Sequence, residues 1–220
     1  MLDAIEITTG EMPKLAVLWL HGLGADGHDF EPIVPELRLG LPVRFVFPHA
    51  PVRPVTINGG MQMRAWYDIL GFGRHVKEDA AGIRASAAAV TELVDREIER
   101  GMSSDRIVLA GFSQGGAIAL HTALREPRRL AGVLALSTYL PLSATLASER
   151  SAANAGIPLF MAHGTDDPVL PLSLAELSRR ALEALGYAVD WHAYPMAHSV
   201  CMEEVNAIGA WLAALPAARG

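Results

Sequence analysis

Residues 106–125 read RIVLAGFSQGGAIALHTALR. The first seven form an apolar run without the alternation of a half-buried strand, the mark of a strand covered on both faces. After the turn the residues are small and apolar until Pro127 stops them, as in a short packed helix. Between the two lies Gly111-Phe112-Ser113-Gln114-Gly115, a G-x-S-x-G turn. In strand–turn–helix context that spacing has a mechanical cause. The serine occupies a strained turn that lifts its hydroxyl above the sheet, and side chains on the flanking glycines would collide with strand and helix. Following a parallel strand, the turn lies at the carboxyl edge of the sheet, where open α/β folds bind ligands. The next helix aims its first N–H groups and its dipole at negative charge developing there. Ser113 is therefore the candidate nucleophile; the bland alternative is a glycine-rich βα turn with an ordinary N-cap serine.

The same pattern extends in both directions. Apolar runs at 15–20 (LAVLWL), 43–47 (VRFVF), 132–137 (GVLALS) and 157–163 (IPLFMAH) read as buried strands, and 189–194 (VDWHAY) as a more amphipathic one. Helical periodicity covers 77–100, with Gly101 as C-cap, then 114–125, 173–185 before Gly186, and 203–215 before Pro216. Strand and helix alternate, so the expected fold is α/β, a mostly parallel sheet with helices on both faces, as one domain over residues 1–220. Residues 50–75 break the rhythm as a long irregular excursion, the usual form of a lid or binding loop.

Composition excludes several classes. Eighteen basic against twenty-four acidic side chains give a net charge of −6 and no basic stripe, so nucleic acid is not an expected partner. Mean hydropathy is +0.25, yet the apolar runs are too short to span a bilayer. The first ten residues carry two acids and no basic segment, unlike a signal peptide. The single cysteine, Cys201, rules out an internal disulfide framework and suits a reducing, cytoplasmic setting.

A serine hydroxyl needs a base, and in this strand order the partners follow as acid, then histidine. Of the eight histidines, only His192 and His198 lie beyond the acidic pair Asp166-Asp167. His192 falls inside a strand; His198 follows it on the carboxyl-edge loop and is the better base. Asp166 and Asp167 both follow the strand 157–163, and spacing alone does not choose between them. A metal reading of His163, Asp166 and Asp167 lacks zinc-type ligand spacing, so no metal is expected. The loop His21-Gly22-Leu23-Gly24-Ala25-Asp26-Gly27 places glycines where backbone N–H groups can approach a ligand. It has the glycine spacing of a dinucleotide G-x-G-x-x-G, but no helix of the right length follows it, and it reads better as an oxyanion loop in which the Leu23 N–H partners that of Gln114. His21 reads as structural.

HGLGADG at 21–27, AWYD at 65–68, GFSQGG at 111–116, HGTDDPVLP at 163–171 and AHSV at 197–200 together resemble the carboxylesterase/phospholipase family, which includes small bacterial carboxylesterases and acyl-protein thioesterases. The resemblance covers essentially the whole chain. It implies an α/β-hydrolase with little cap, Ser113 as nucleophile, His198 as base, and no cofactor. It also selects Asp167, since the family's acid precedes the proline and valine seen here as Pro168-Val169. Ala197 stands where the family often has glycine, a departure that removes no functional group. The implied reaction is hydrolysis of short- to medium-chain carboxylic esters through an acyl-enzyme; an acyl-protein thioesterase or lysophospholipase would use the same groups. Trp66, Ile69, Leu70, Phe72, Tyr139 and Leu140 are candidate pocket walls, with ordinary core packing as the alternative for each. Trp66 and Asp68 could instead anchor the excursion. Cys201 lacks an elbow and reads as structural, and a non-catalytic binding scaffold would predict a broken triad. The apolar surplus suits an acyl pocket or a contact between two copies of the chain.

Overall fold

The computed structural model describes residues 2–71 and 77–216. Among the described residues nine strands run in chain order: β1 (Ala4–Thr8), β2 (Leu15–Leu20), β3 (Val43–Pro48), β4 (Val52–Val55), β5 (Met61–Arg64), β6 (Ile107–Phe112), β7 (Gly132–Leu136), β8 (Leu159–Gly164) and β9 (Val189–Tyr194). Six α-helices accompany them in the same described residues: α1 (Ile33–Glu36), α2 (Ala80–Glu99), α3 (Gln114–Ala123), α4 (Ser143–Glu149), α5 (Leu172–Ala184) and α6 (Met202–Ala214). Seven strands form one sheet in the order β1-β3-β2-β6-β7-β8-β9, every pair parallel except β1 with β3.

Strand β2 shows why its sequence does not alternate. Leu15, Val17 and Trp19 belong to one apolar cluster with Val34 of α1 and Val205, Ile208 and Leu212 of α6, while Ala16, Leu18 and Leu20 belong to another with residues of α2 and α3. Both faces are core, so both sets of positions must be apolar. The expected layers are thus present, with α2, α3, α5 and α6 each within a few residues of its sequence reading. The short helices α1 and α4 had no such reading, and two further elements depart from it. Strand β1 had no reading as a strand, and it adds an antiparallel edge. The excursion at 50–75 is not wholly irregular: β4 and β5 pair antiparallel around a tight turn at Thr56–Asn58 and form their own two-stranded sheet. Among the described residues no helix is long and apolar enough to cross a membrane.

Candidate active site

Strand β6 delivers Ser113 into the turn with φ +54° and ψ −119°, a backbone conformation that a residue with a side chain adopts only when its surroundings impose it. Those surroundings are visible. The Ser113 N–H donates to the Leu136 carbonyl of β7 at 2.8 Å, and its own carbonyl accepts from Thr138 Oγ1 at 2.6 Å and from the Ala117 N–H at 3.1 Å. A Cβ on Gly111 would lie 2.3 Å from the Gly115 carbonyl carbon, and one on Gly115 would lie 2.3 Å from the Leu20 carbonyl oxygen. Both flanking glycines are therefore required by the close approach of β6, α3 and β2. Gln114 is the first residue of α3, where a helical N–H has no intrahelical acceptor.

The acid and the histidine come from adjacent loops, after β8 and β9. The two loops are laced together: the Thr165 N–H donates to Tyr194 O at 2.8 Å and the Asp166 N–H to Met196 O at 3.1 Å. Gly164 permits this, since a Cβ there would stand 2.3 Å from Met196 O. His198 Nδ1 donates to Asp167 Oδ2 at 2.6 Å. Asp167 Oδ1 accepts from the Val169 and Leu170 N–H groups at 2.8 and 2.9 Å. Burial pushes the Asp167 carboxyl up, but the bonds from His198, Leu170 and Val169 outweigh it and hold the group below the usual carboxylate range. Asp166 is exposed, and among the described residues its carboxylate accepts only from its neighbour Thr165. Of the two carboxylates that spacing left open, Asp167 is the one joined to His198. The His198 ring packs on Phe112, the residue before Ser113, at 4.7 Å between centroids. His192 stacks on Phe160 instead and pairs with Asp190, away from this cluster.

The loop after β2 completes the arrangement. A Cβ built on Gly22 would fall 3.6 Å from Ser113 Cβ, so this loop lies directly beside the serine. His21 donates from Nδ1 to Gly22 O at 2.7 Å and accepts the Ala50 N–H on Nε2 at 3.0 Å, a bonding pattern that requires a neutral ring. Burial lowers its pKa in the same sense. The loop is pinned further by Gly24 N–H to Arg64 O at 2.9 Å, and Leu23, between these anchors, is half-buried. The next helix is the four-residue α1, unlike the long helix that a dinucleotide loop requires.

Comparison with known proteins agrees with this geometry. The sequence profile described as Phospholipase/Carboxylesterase matches residues 3–215. The chain belongs to that family. It is similar to acyl-protein thioesterase 1 of Neurospora crassa, 42% identical over 203 residues that cover 87% of this chain and 83% of that protein. The acyl-protein thioesterase 1 of Gibberella zeae is 40% identical, with 89% and 88% covered. Among solved structures, Zea mays acyl-protein thioesterase 2 superposes with a TM-score of 0.87 at 30% identity, over 97% of this chain and 99% of that one. The fold is that of the α/β-hydrolases, and the chain is an enzyme of the carboxylesterase class of serine hydrolases.

In this family member the six expected pocket walls fare differently. Trp66 is fully buried: its N–H donates to Gln114 Oε1 at 2.7 Å, its indole Nε1 to His21 O at 2.9 Å, and its carbonyl accepts from Ser86 Oγ. It is a strut between the loop after β2 and the elbow, so the anchoring role weighed for it is the one its contacts describe. Asp68 is likewise bonded to the Thr56 N–H at 2.7 Å, bracing the hairpin turn. Tyr139 is half-buried and its hydroxyl meets that of Tyr67 at 2.9 Å, joining the loop after β7 to the excursion. Leu140 is buried and Ile69 half-buried, both against the core, whereas Leu70 is 46% exposed. Phe72 lies outside the described residues. The side chain of Gln114 was not singled out from sequence, yet it accepts from Trp66 N–H and donates to Tyr67 O, both at 2.7 Å, pinning the excursion to the elbow. Cys201 N-caps α6, and burial pushes its thiol pKa up, away from the thiolate that a nucleophile needs.

Proposed function

We propose that the enzyme cleaves acyl thioesters and esters through a Ser113 acyl-enzyme, with S-acylated protein as its substrate class. The observation that carries the chemistry is the strained Ser113 backbone beside a His198–Asp167 pair joined at 2.6 Å. Asp167 holds Nδ1, which leaves Nε2 to take the serine proton and later to return it to the departing thiol or alcohol. As Ser113 Oγ attacks, the carbonyl oxygen becomes an oxyanion between the N–H groups of Leu23 and Gln114; one such donor is typically worth about 3–4 kcal/mol in the transition state. Water, deprotonated by His198, then releases the acid.

The substrate class rests on relatives at 36–42% identity that are named acyl-protein thioesterase 1. Hydrolysis of free short- to medium-chain esters, or of lysophospholipids, uses the same groups. The family's own description, Phospholipase/Carboxylesterase, favours this as a second reading. A chain-length series of p-nitrophenyl esters, acyl thioesters and an S-acylated peptide on purified protein decides between them. The thioesterase reading expects kcat/KM to be highest on the S-acylated peptide. A preference for free short esters, with the peptide untouched, would replace it.

A further inference from the structure

His163 is the last side chain of β8 before the acid loop, and it is completely shielded from solvent. Its Nε2 lies 2.8 Å from the Leu170 carbonyl, which can only accept, so Nε2 carries the hydrogen. Its Nδ1 is buried without a partner among the described residues, as that tautomer allows. The same Nε2 stands 3.5 Å from Asp167 Oδ2, the oxygen that holds His198. That separation is too long for a strong hydrogen bond. The firm connection instead runs through Leu170, which gives its N–H to Asp167 Oδ1 and its carbonyl to His163. A closed ring of contacts therefore passes from β8 through Leu170 to the acid.

The acid needs such a hold. Thr165, Asp166, Pro168 and Val169 are all exposed, so Asp167 is the one inward-facing residue of a five-residue surface loop. Two backbone N–H groups orient its outer oxygen, but both belong to the same turn and move with it. His163 ties that turn to a strand buried in the middle of the molecule. We propose that His163 is a positioning residue for the hydrolysis, fixing the Leu170 turn so that Asp167 keeps Oδ2 on His198 Nδ1. It touches neither substrate nor the reacting atoms. The inference rests on the Ser113–His198–Asp167 reading above.

The test compares His163→Met, of similar bulk but without a donor, with His163→Gln, whose amide N–H comes near the place of Nε2. Hydrolysis of p-nitrophenyl butyrate is normalised to active sites titrated with a fluorophosphonate, and kcat/KM is followed across pH. His163→Met is expected to lower kcat by about 10- to 100-fold, the scale of a small misplacement of a catalytic group, with KM within about twofold. Its acidic limb should also move to lower pH, because a displaced carboxylate stabilises the His198 imidazolium less. His163→Gln should recover most of kcat and the wild-type limb. If His163→Met does not fold, His163→Asn, which offers no donor at the Nε2 position, carries the same expectation. Equal losses in the donor-bearing and donor-free variants with an unmoved limb, or no loss per active site in either, would overturn the inference. Asp167→Asn in the same assay keeps the two readings apart. Wild-type activity there would sink the triad itself, whereas an inactive Asp167→Asn beside an unaffected His163→Met removes only the role of His163.

Discussion

Glu204 offers the most quantitative test of how this fold handles charge. It sits in the first turn of α6, where the helix dipole favours an anion by roughly 0.3–1 kcal/mol. Yet its side chain is fully buried, and neither carboxyl oxygen has a well-formed hydrogen bond among the described residues. Desolvation wins: burial pushes the carboxyl up to about 8, against a weak pull downward from the Cys201 N–H. Tyr194, pushed to about 12 by burial and next by the charge of Glu204, belongs to the same ion-resisting patch. The sign follows from proton counting. Above the ordinary carboxyl pKa the unfolded chain has lost this proton and the native chain still holds it, so stability falls as pH rises. The fall begins near pH 4.5 and ends near pH 8, where the native group also ionises. At about 1.4 kcal/mol per pH unit that window sets an upper bound of roughly 5 kcal/mol, and native-state relaxation brings the expected loss to roughly 2–4 kcal/mol. Glu204→Gln removes the titration while keeping the shape. Urea denaturation of both proteins from pH 4.5 to 9 should show near-equal stabilities at the acid end. The variant should then gain a lead of roughly 2–4 kcal/mol by pH 8.5, or about 4–16 °C in Tm. Parallel curves across that range would refute the reasoning, since they would mean that Glu204 ionises normally in the folded protein.

Three further outcomes follow from the site. Ser113→Ala should abolish hydrolysis of p-nitrophenyl butyrate with an unchanged circular dichroism spectrum, and retention of more than a few per cent of activity would move the nucleophile elsewhere. Asp167→Asn should lower kcat by about 10⁴-fold through the wrong histidine tautomer, while exposed Asp166→Asn leaves it within about twofold; equal losses would show that the acid is misassigned. Gln114→Met strips the partners from the buried Trp66 N–H and Tyr67 carbonyl at about 1–3 kcal/mol each, so urea titration should show a loss of roughly 2–6 kcal/mol, and an unchanged midpoint would mean that the excursion holds itself in place.

What the sequence made legible is what short-range sterics dictate. The elbow could be read because Gly111, Ser113 and Gly115 are each required by atoms within a few ångströms of a single turn, and β2 because both its faces need apolar residues. His198 could be preferred to His192 for a local reason too, loop against strand. Strand β1 escaped notice because its five residues are mostly half-exposed and its pairing is supplied by β3, some forty positions away. The hairpin of β4 and β5 escaped because each strand is only four residues long, too short for a period to show, and Pro54 argues against a strand in VRPV. Gln114 and Trp66 meet across 48 positions, a contact that no periodicity announces. The division has a functional sense. The chemistry is built on a turn whose geometry only a few residues allow, so it leaves a motif. The excursion and the loop after β7 are held by long-range bonds from Gln114 and by the Tyr67–Tyr139 pair, and such bonds constrain pairs of residues rather than a spacing. No motif spells out a substrate preference, so the chain-length series is the measurement that reads it.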